Sequence, residues 1–256
     1  MRSIWNGSIS FGLVNIPVKM YSATESRTLD LDMLDGSDHA RIRYQRINEN
    51  TGKEVEWKDI VKGYKKGEKY VILEDSDFEM ANVKKSSTLD IETFVEAEEV
   101  PDMLFKKPYY LEPQKEGGKS YNLLRDSLNK AKKLGVATFV MRQRENLALI
   151  GVYENVLVVH VIRFAEQIRD PSEVRLPSGK VSKKELDMAK SLIDQYTAKF
   201  DIEAYRDTYN EQLMKVIESK AKGKKAVVKK LKTQPTADSD LLAQLKASLK
   251  KRKKAS

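Results

Sequence analysis

The chain has 256 residues, 40% of them hydrophobic and 33% charged, enough apolar material for one large domain or a domain with appendages. It contains no cysteine, which excludes a disulfide framework and thiolate metal sites, and no apolar run approaches the roughly 18 residues of a membrane span. Its net charge of +9 is lopsided: residues 221–256 hold 12 Lys and Arg against two acids, while the first 220 residues hold 35 basic and 36 acidic side chains. A neutral body with a basic tail suits contact with a polyanion such as nucleic acid. The opening MRSIWNGSISFGLVNIP has no long apolar stretch, so no secretory signal is expected and the default compartment is the cytoplasm.

In chain order, SISFGLVNIPVKMY (8–21) alternates apolar and polar residues and is broken by Gly12 and Pro17, which predicts a strand pair or a bent edge strand. Residues 24–40 are polar and acidic and read as a loop. RIRYQRI (41–47) alternates, Asn50-Thr51-Gly52 is a turn, and EVEW (54–57) resumes the alternation, predicting a hairpin. Lys62 to Gly67 reads as a further turn before the strand YVIL (70–73), and residues 74–85 as a short acidic helix. STLDIETFV (87–95) is a strand, and KKPYYLEP (106–113) a Pro-bounded extended segment. Tyr121, Leu124, Leu128 and Ala131 then fall at helical spacing, with Gly135 just past the end.

Residues 135–162 hold three apolar runs joined by the cluster Arg142, Gln143, Arg144, Glu145, Asn146 and by Glu154-Asn155, an antiparallel pattern. Two amphipathic helices follow at about 182–198 and 203–219, then a linker-like stretch and a last short helix over 241–249. The fold class is mixed α+β, mainly β.

Enzyme signatures are missing. Gly118-Lys119-Ser120 resembles the end of a phosphate-binding loop, but Pro113 stands where the first glycine is needed. A calcium loop over Asp30–Arg41 fails at Leu34 and at Arg41, where a bidentate Glu is required. The acids Glu92, Glu96, Glu98, Glu99 and Asp102 read as a solvated strand end rather than a magnesium site. His160 sits inside an apolar run and His39 in a polar loop, so neither a catalytic triad nor a zinc spacing exists. No catalytic residue, metal or cofactor is expected.

Basic residues instead recur beside aromatics and turns, at Arg41–Arg46, Lys62–Lys66, Lys106–Tyr110 and Arg142–Arg144. Each cluster alone is an ordinary solvated turn. Four of them on one β-rich body suit contact with phosphates and not with base edges, since no helix-turn-helix or RNA-binding sheet signature accompanies them.

The order of segments resembles that of the bacterial Ku proteins, which bind DNA ends in non-homologous end joining. The resemblance rests on Arg2–Lys19, Asn50–Val55, Asp59–Tyr64, Lys107–Pro113 and Met141–Leu147, in family order over roughly residues 1–200. It implies a Ku-type β-barrel core over 1–180 with a long bridge at roughly 24–90, a helical dimerisation arm over 181–220, and a flexible Lys-rich tail over 221–256 with a short helix near 240–250. It further implies a homodimeric ring threaded by double-stranded DNA ends, recruitment of an ATP-dependent DNA ligase, no membrane partner, and a cytoplasmic, nucleoid-associated protein.

On that pattern the candidate phosphate contacts are Lys62, Lys65, Lys66, Arg142 and Arg144 first, then Arg41, Arg43 and Lys58 on the bridge, with Lys106 and Lys107 on the barrel. Lys229, Lys230, Lys250, Lys251, Arg252, Lys253 and Lys254 of the tail would add a sequence-independent term that falls with salt. Two other classes stay open on the residues alone. One is a nucleoid or RNA-binding protein acting through its tail; the other is an abasic-end lyase using a lysine.

Overall fold

A computed structural model describes residues 1–81, 87–179, 181–223 and 243–248. The chain divides into two compact units, Met1–Pro171 and Ser172–Ser256.

The first unit is a closed barrel. Its strands are β1 (Trp5–Phe11), β2 (Val14–Ser22), β5 (Thr88–Glu96), β6 (Phe105–Pro113), β7 (Lys133–Met141), β8 (Arg144–Tyr153) and β9 (Val156–Ile162), in the order β1-β2-β6-β9-β8-β7-β5. All ladders are antiparallel except the closing seam, where β1 and β5 run parallel over Ser8↔Thr88, Ile9↔Leu89 and Ser10↔Asp90. The period-2 pattern read from the sequence sends one face inward: Ile9, Ile16, Val18, Met20, Leu111, Ile150, Leu157 and Val159 are all at most 2% exposed. Each such side chain contributes about 1.5–3 kcal/mol of transfer free energy.

The β1–β2 connection is a tight turn with Gly12 at φ +57, the conformation a leading turn glycine supplies. Pro17 is tolerated inside β2 because it lies beyond the last β2–β6 pair, Val18↔Pro113, where its carbonyl accepts from the Gln114 N–H at 2.9 Å.

Helix α2 (Gly118–Ala131) joins the end of β6 to the start of β7 and closes that end of the barrel. Its apolar stripe, Tyr121, Leu124 and Leu128, merges with the strand residues in one core. The Tyr121 hydroxyl donates to the Leu111 carbonyl at 2.7 Å and accepts from the Leu157 N–H at 2.8 Å, and burial pushes its phenol pKa up.

Residues 24–81 form an arm between β2 and β5, the two neighbours of β1. It carries β3 (Lys62–Lys66), β4 (Lys69–Leu73) and helix α1 (Asp75–Ala81). No described residue from 24 to 81 is buried. Two expectations are corrected here. The alternating stretches 41–47 and 54–57 do not form strands; they meet in the single bridge Ile47↔Glu54, and no residue of either stretch is buried to extend the ladder. Lys62–Lys66 is strand β3 rather than a turn, and the turn itself is Gly67, at φ +66, with Glu68.

In the second unit, α3 (Lys183–Tyr196) starts at a capping box in which Ser182 and Glu185 bond each other's backbone N–H. Helix α4 (Thr208–Ala221) is capped by Asp207, and residues 243–248 are helical. Neither α3 nor α4 contains a buried residue. The expected tail contacts Lys229, Lys230, Lys250, Lys251, Arg252, Lys253 and Lys254 lie outside the described residues.

Candidate nucleic-acid interface

The arm hairpin divides its basic residues by strand parity. Lys62, Tyr64 and Lys66 share a face with Lys69, Val71 and Leu73, while Lys65 and Tyr70 stand on the other. The expected cluster of three lysines is therefore two on one face and one on the other. The first face gains Lys69, which sits directly opposite Lys66. Like charges at opposed positions destabilise a strand pair, so this arrangement favours an anion between them. Parity, once β4 is extended to Lys69, is the signal that would have found this residue. The Lys62 ammonium lies 4.5 Å from the centroid of the Phe78 ring on α1, which fixes its stem beside the same face.

Two of the remaining arm candidates have local partners. Arg41 pairs with Asp32 at 2.5 Å and Lys58 with Glu56 at 2.7 Å, both in solvent-exposed ion pairs worth little that a phosphate can displace. Arg43 has no acidic partner among the described residues. Arg46, which the sequence did not single out as a contact, holds its guanidinium 4.5 Å over the Trp57 ring.

On the barrel, the cluster read over Arg142–Asn146 is cut short by the fold. Met141↔Arg144 closes the hairpin, so only Arg142 and Gln143 form the turn, at φ 52 and 60. Two successive left-handed residues define a type I′ turn, for which Asn-Gly is the favoured pair. Arg-Gln holds that geometry at a cost of about 1 kcal/mol or more per residue. The turn places the Arg142 side chain at an exposed tip, with Arg144 exposed at the first position of β8. Asn146 steadies the strand start by donating to the Arg144 carbonyl at 2.8 Å.

Lys106 and Lys107 open strand β6 and are not loop residues. The Lys106 ammonium donates to the Gln167 side-chain oxygen at 2.8 Å, and that of Lys107 lies 5.5 Å from the Tyr109 ring centroid. Strand direction puts the Arg142-Gln143 turn, the start of β6, and both ends of the arm at the barrel end opposite α2. The two roots of the arm and the barrel candidates thus share one end, and the closing helix occupies the other.

His160 behaves as a structural residue, and His39 lies exposed in the arm. His160 is half-buried, packs edge-on against Phe105 with centroids 5.3 Å apart, and has its pKa lowered by burial. Because the folded pKa is depressed, the stability it contributes is present above the unfolded value near 6.5 and is lost as pH falls through the folded value. His160→Phe should flatten the fall in denaturation midpoint between pH 7 and 5 relative to wild type; an unchanged slope would count against this assignment. Among the described residues no group of His, Asp and Glu could hold a metal ion, and no helix is long and apolar enough to cross a membrane.

A closed barrel with a long arm that carries a lysine-bearing hairpin and has no buried residue among those described defines the structural class. Residues 10–188 match the family model of the Ku70/Ku80 beta-barrel domain. The chain is 44% identical over 224 residues to the non-homologous end joining protein Ku of Opitutus terrae, covering 86% of this chain and 80% of that one. It is 38% identical to the Ku protein of Bacillus subtilis, covering 97% and 82%, and 36% identical to that of Mycobacterium tuberculosis, covering 100% and 97%. The chain belongs to the Ku family.

Proposed function

We propose that two copies of this chain form a ring that binds the ends of double-stranded DNA without reading sequence, in the cytoplasm and at the nucleoid, and that recruits an ATP-dependent DNA ligase for non-homologous end joining. The relatives named as end-joining proteins over most of the chain support the process. The observation that carries the ring is the arm: both its ends sit at the barrel end that bears Arg142, Arg144, Lys106 and Lys107, and its hairpin presents Lys62, Lys66 and Lys69 on one face. An arm with Trp57, Tyr64, Tyr70 and Val71 exposed, and a helix α3 with Leu186 and Ile193 exposed, favour a second copy over a monomer. Phosphate contacts are indifferent to sequence, and a closed loop admits only DNA that has an end.

Gel shifts of linear against covalently closed circular duplex, at two salt concentrations, test the ring. Linear DNA should be retained at least about tenfold more tightly at both; equal affinity would sink the ring and leave a tail-driven nucleoid or RNA-binding protein.

The tip is tested by separating stability from binding. Arg142→Ala with Arg144→Ala should lower the slope of log affinity against log salt by about 2 and leave the barrel folded. Arg142→Asn with Gln143→Gly should raise unfolding stability by about 1 kcal/mol, because it relieves the left-handed strain, while weakening linear-DNA binding. A variant that gained stability and kept full affinity would remove Arg142 from the interface.

A further inference from the structure

The outer wall of the barrel holds a cleft of about 810 Å³ between β2, β6, the β8–β9 turn and α2. Its lining is unlike the basic end of the molecule. Four tyrosines, Tyr21, Tyr110, Tyr121 and Tyr153, line it together with the carboxylates Glu112 and Glu154. Tyr21 and Tyr110 are directly opposed across the β2–β6 ladder, on the face pointing away from the core residues Met20 and Leu111. The Tyr21 hydroxyl donates to Glu112 at 2.6 Å, which holds that carboxylate against the ring.

Met1 also lines the cleft, and the one cationic side chain on its wall is already engaged. The Arg125 guanidinium pairs with Asp126 at 2.9 Å and donates to the Asn155 carbonyl at 3.5 Å, which ties α2 to the β8–β9 turn. Glu112 and Glu154 have no cationic partner among the described residues, and Lys19, opposite Glu112 in the ladder, forms no ion pair with it. Glu154 is fixed at the turn in a left-handed conformation, φ 52. Beneath them the Tyr121 hydroxyl bridges β6 and β9 and makes the floor rigid. Aromatic faces plus unpaired carboxylates in a preformed hollow form a receptor for a cation, because the ring quadrupole and the carboxylate attract the same charge.

We propose that this cleft docks an arginine or lysine side chain carried by a linear segment of a partner protein. Glu112 and Glu154 supply the charge, and Tyr110 and Tyr153 the faces against which the cation and its alkyl stem lie. The same two carboxylates repel phosphate, so the cleft is a protein-docking surface and not an extension of the nucleic-acid interface. Both carboxylates sit at the α2 end of the barrel, away from the end that carries the arm, so a bound segment and a bound duplex do not compete.

Calorimetric titration of the full chain with the peptide Gly-Arg-Gly-Arg-Gly-Arg, against its Gly-Gln counterpart, tests this. The arginine peptide should bind saturably and the glutamine peptide should not. Glu112→Gln with Glu154→Gln should weaken binding about tenfold, and Tyr110→Ala with Tyr153→Ala about fivefold. Glu98→Gln with Glu99→Gln, in the turn after β5 and outside the cleft, should change nothing. Tyr153→Lys abolishes binding without touching the Tyr21–Glu112 bond, which covers the case in which the Glu112 variant is misfolded. Equal weakening by the Glu98 and Glu99 changes would mean diffuse attraction of a polycation and would overturn the proposal. So would binding of a single-stranded oligonucleotide that tightens when Glu112 and Glu154 are neutralised.

Discussion

Gly7→Ala will destabilise the barrel by about 3 kcal/mol, the largest loss expected from adding a single methyl group to this chain. A Cβ at residue 7 falls inside van der Waals distance of the Ser87 carbonyl and of the Trp5 indole, reaching Cζ2 at 2.6 Å. Neither neighbour can give way. The Ser87 carbonyl accepts the Ser8 N–H at 3.0 Å, the bond that starts the parallel β1–β5 seam. Trp5 is held at its far side, where its N–H donates to the Val140 carbonyl at 3.1 Å and its ring meets the edge of Phe139 at 5.9 Å. The methyl group therefore pries β5 from β1 at the point where the arm re-enters the barrel. Guanidinium titration should show the midpoint fall, and limited proteolysis should show faster cutting on the arm side of Thr88. An unchanged midpoint would mean that the seam contributes little to closure.

Tyr121→Phe is the second large effect, about 2–4 kcal/mol, although it removes one oxygen and no packing volume. Leu111 and Leu157 stand opposite each other in the β6–β9 register, and the hydroxyl bridges the carbonyl of one to the N–H of the other. Without it, two backbone groups beside fully buried leucines lose a partner in a place water cannot easily reach. Tyr121→Leu should be no better than Phe, since the loss lies in the hydrogen bonds. A Phe variant within about 0.5 kcal/mol of wild type would mean that the β6–β9 ladder closes directly once the hydroxyl is gone.

The contrast between barrel and arm explains what the residues alone disclosed. In 135–162 every inward residue meets another inward residue from an adjacent strand, so alternation in sequence and burial in space coincide. RIRYQRI alternates as cleanly, yet Ile42 and Ile47 are each 51% exposed because no opposing surface covers them among the described residues. Periodicity reports that a segment has two faces and says nothing of whether either is covered. Glycine misled at the lysine hairpin for a related reason: Gly63 packs against the side chains of Tyr70 and Ile72 in a strand, and only Gly67 takes a positive φ. The tip Arg142–Asn146 was legible as a connector but not as a two-residue turn. Neither Arg142 nor Gln143 is a usual left-handed residue, and the register of β7 on β8 imposed the conformation. The tyrosine cleft was invisible because Tyr21, Tyr110 and Tyr153 come from three strands that only barrel closure brings together.

The arm is rooted on a narrow base. Its two roots, β2 and β5, flank the single strand β1, so an excursion of more than sixty residues begins and ends about 10 Å apart. Tension applied at its far end runs back as shear into two unequal anchorages. On β1, the β2 root is gripped along the whole of Trp5–Phe11, whereas the β5 root is gripped only from Ser8 to Ser10. Pulled in an optical trap, the molecule has a built-in weak root, and it is the one through which the arm returns.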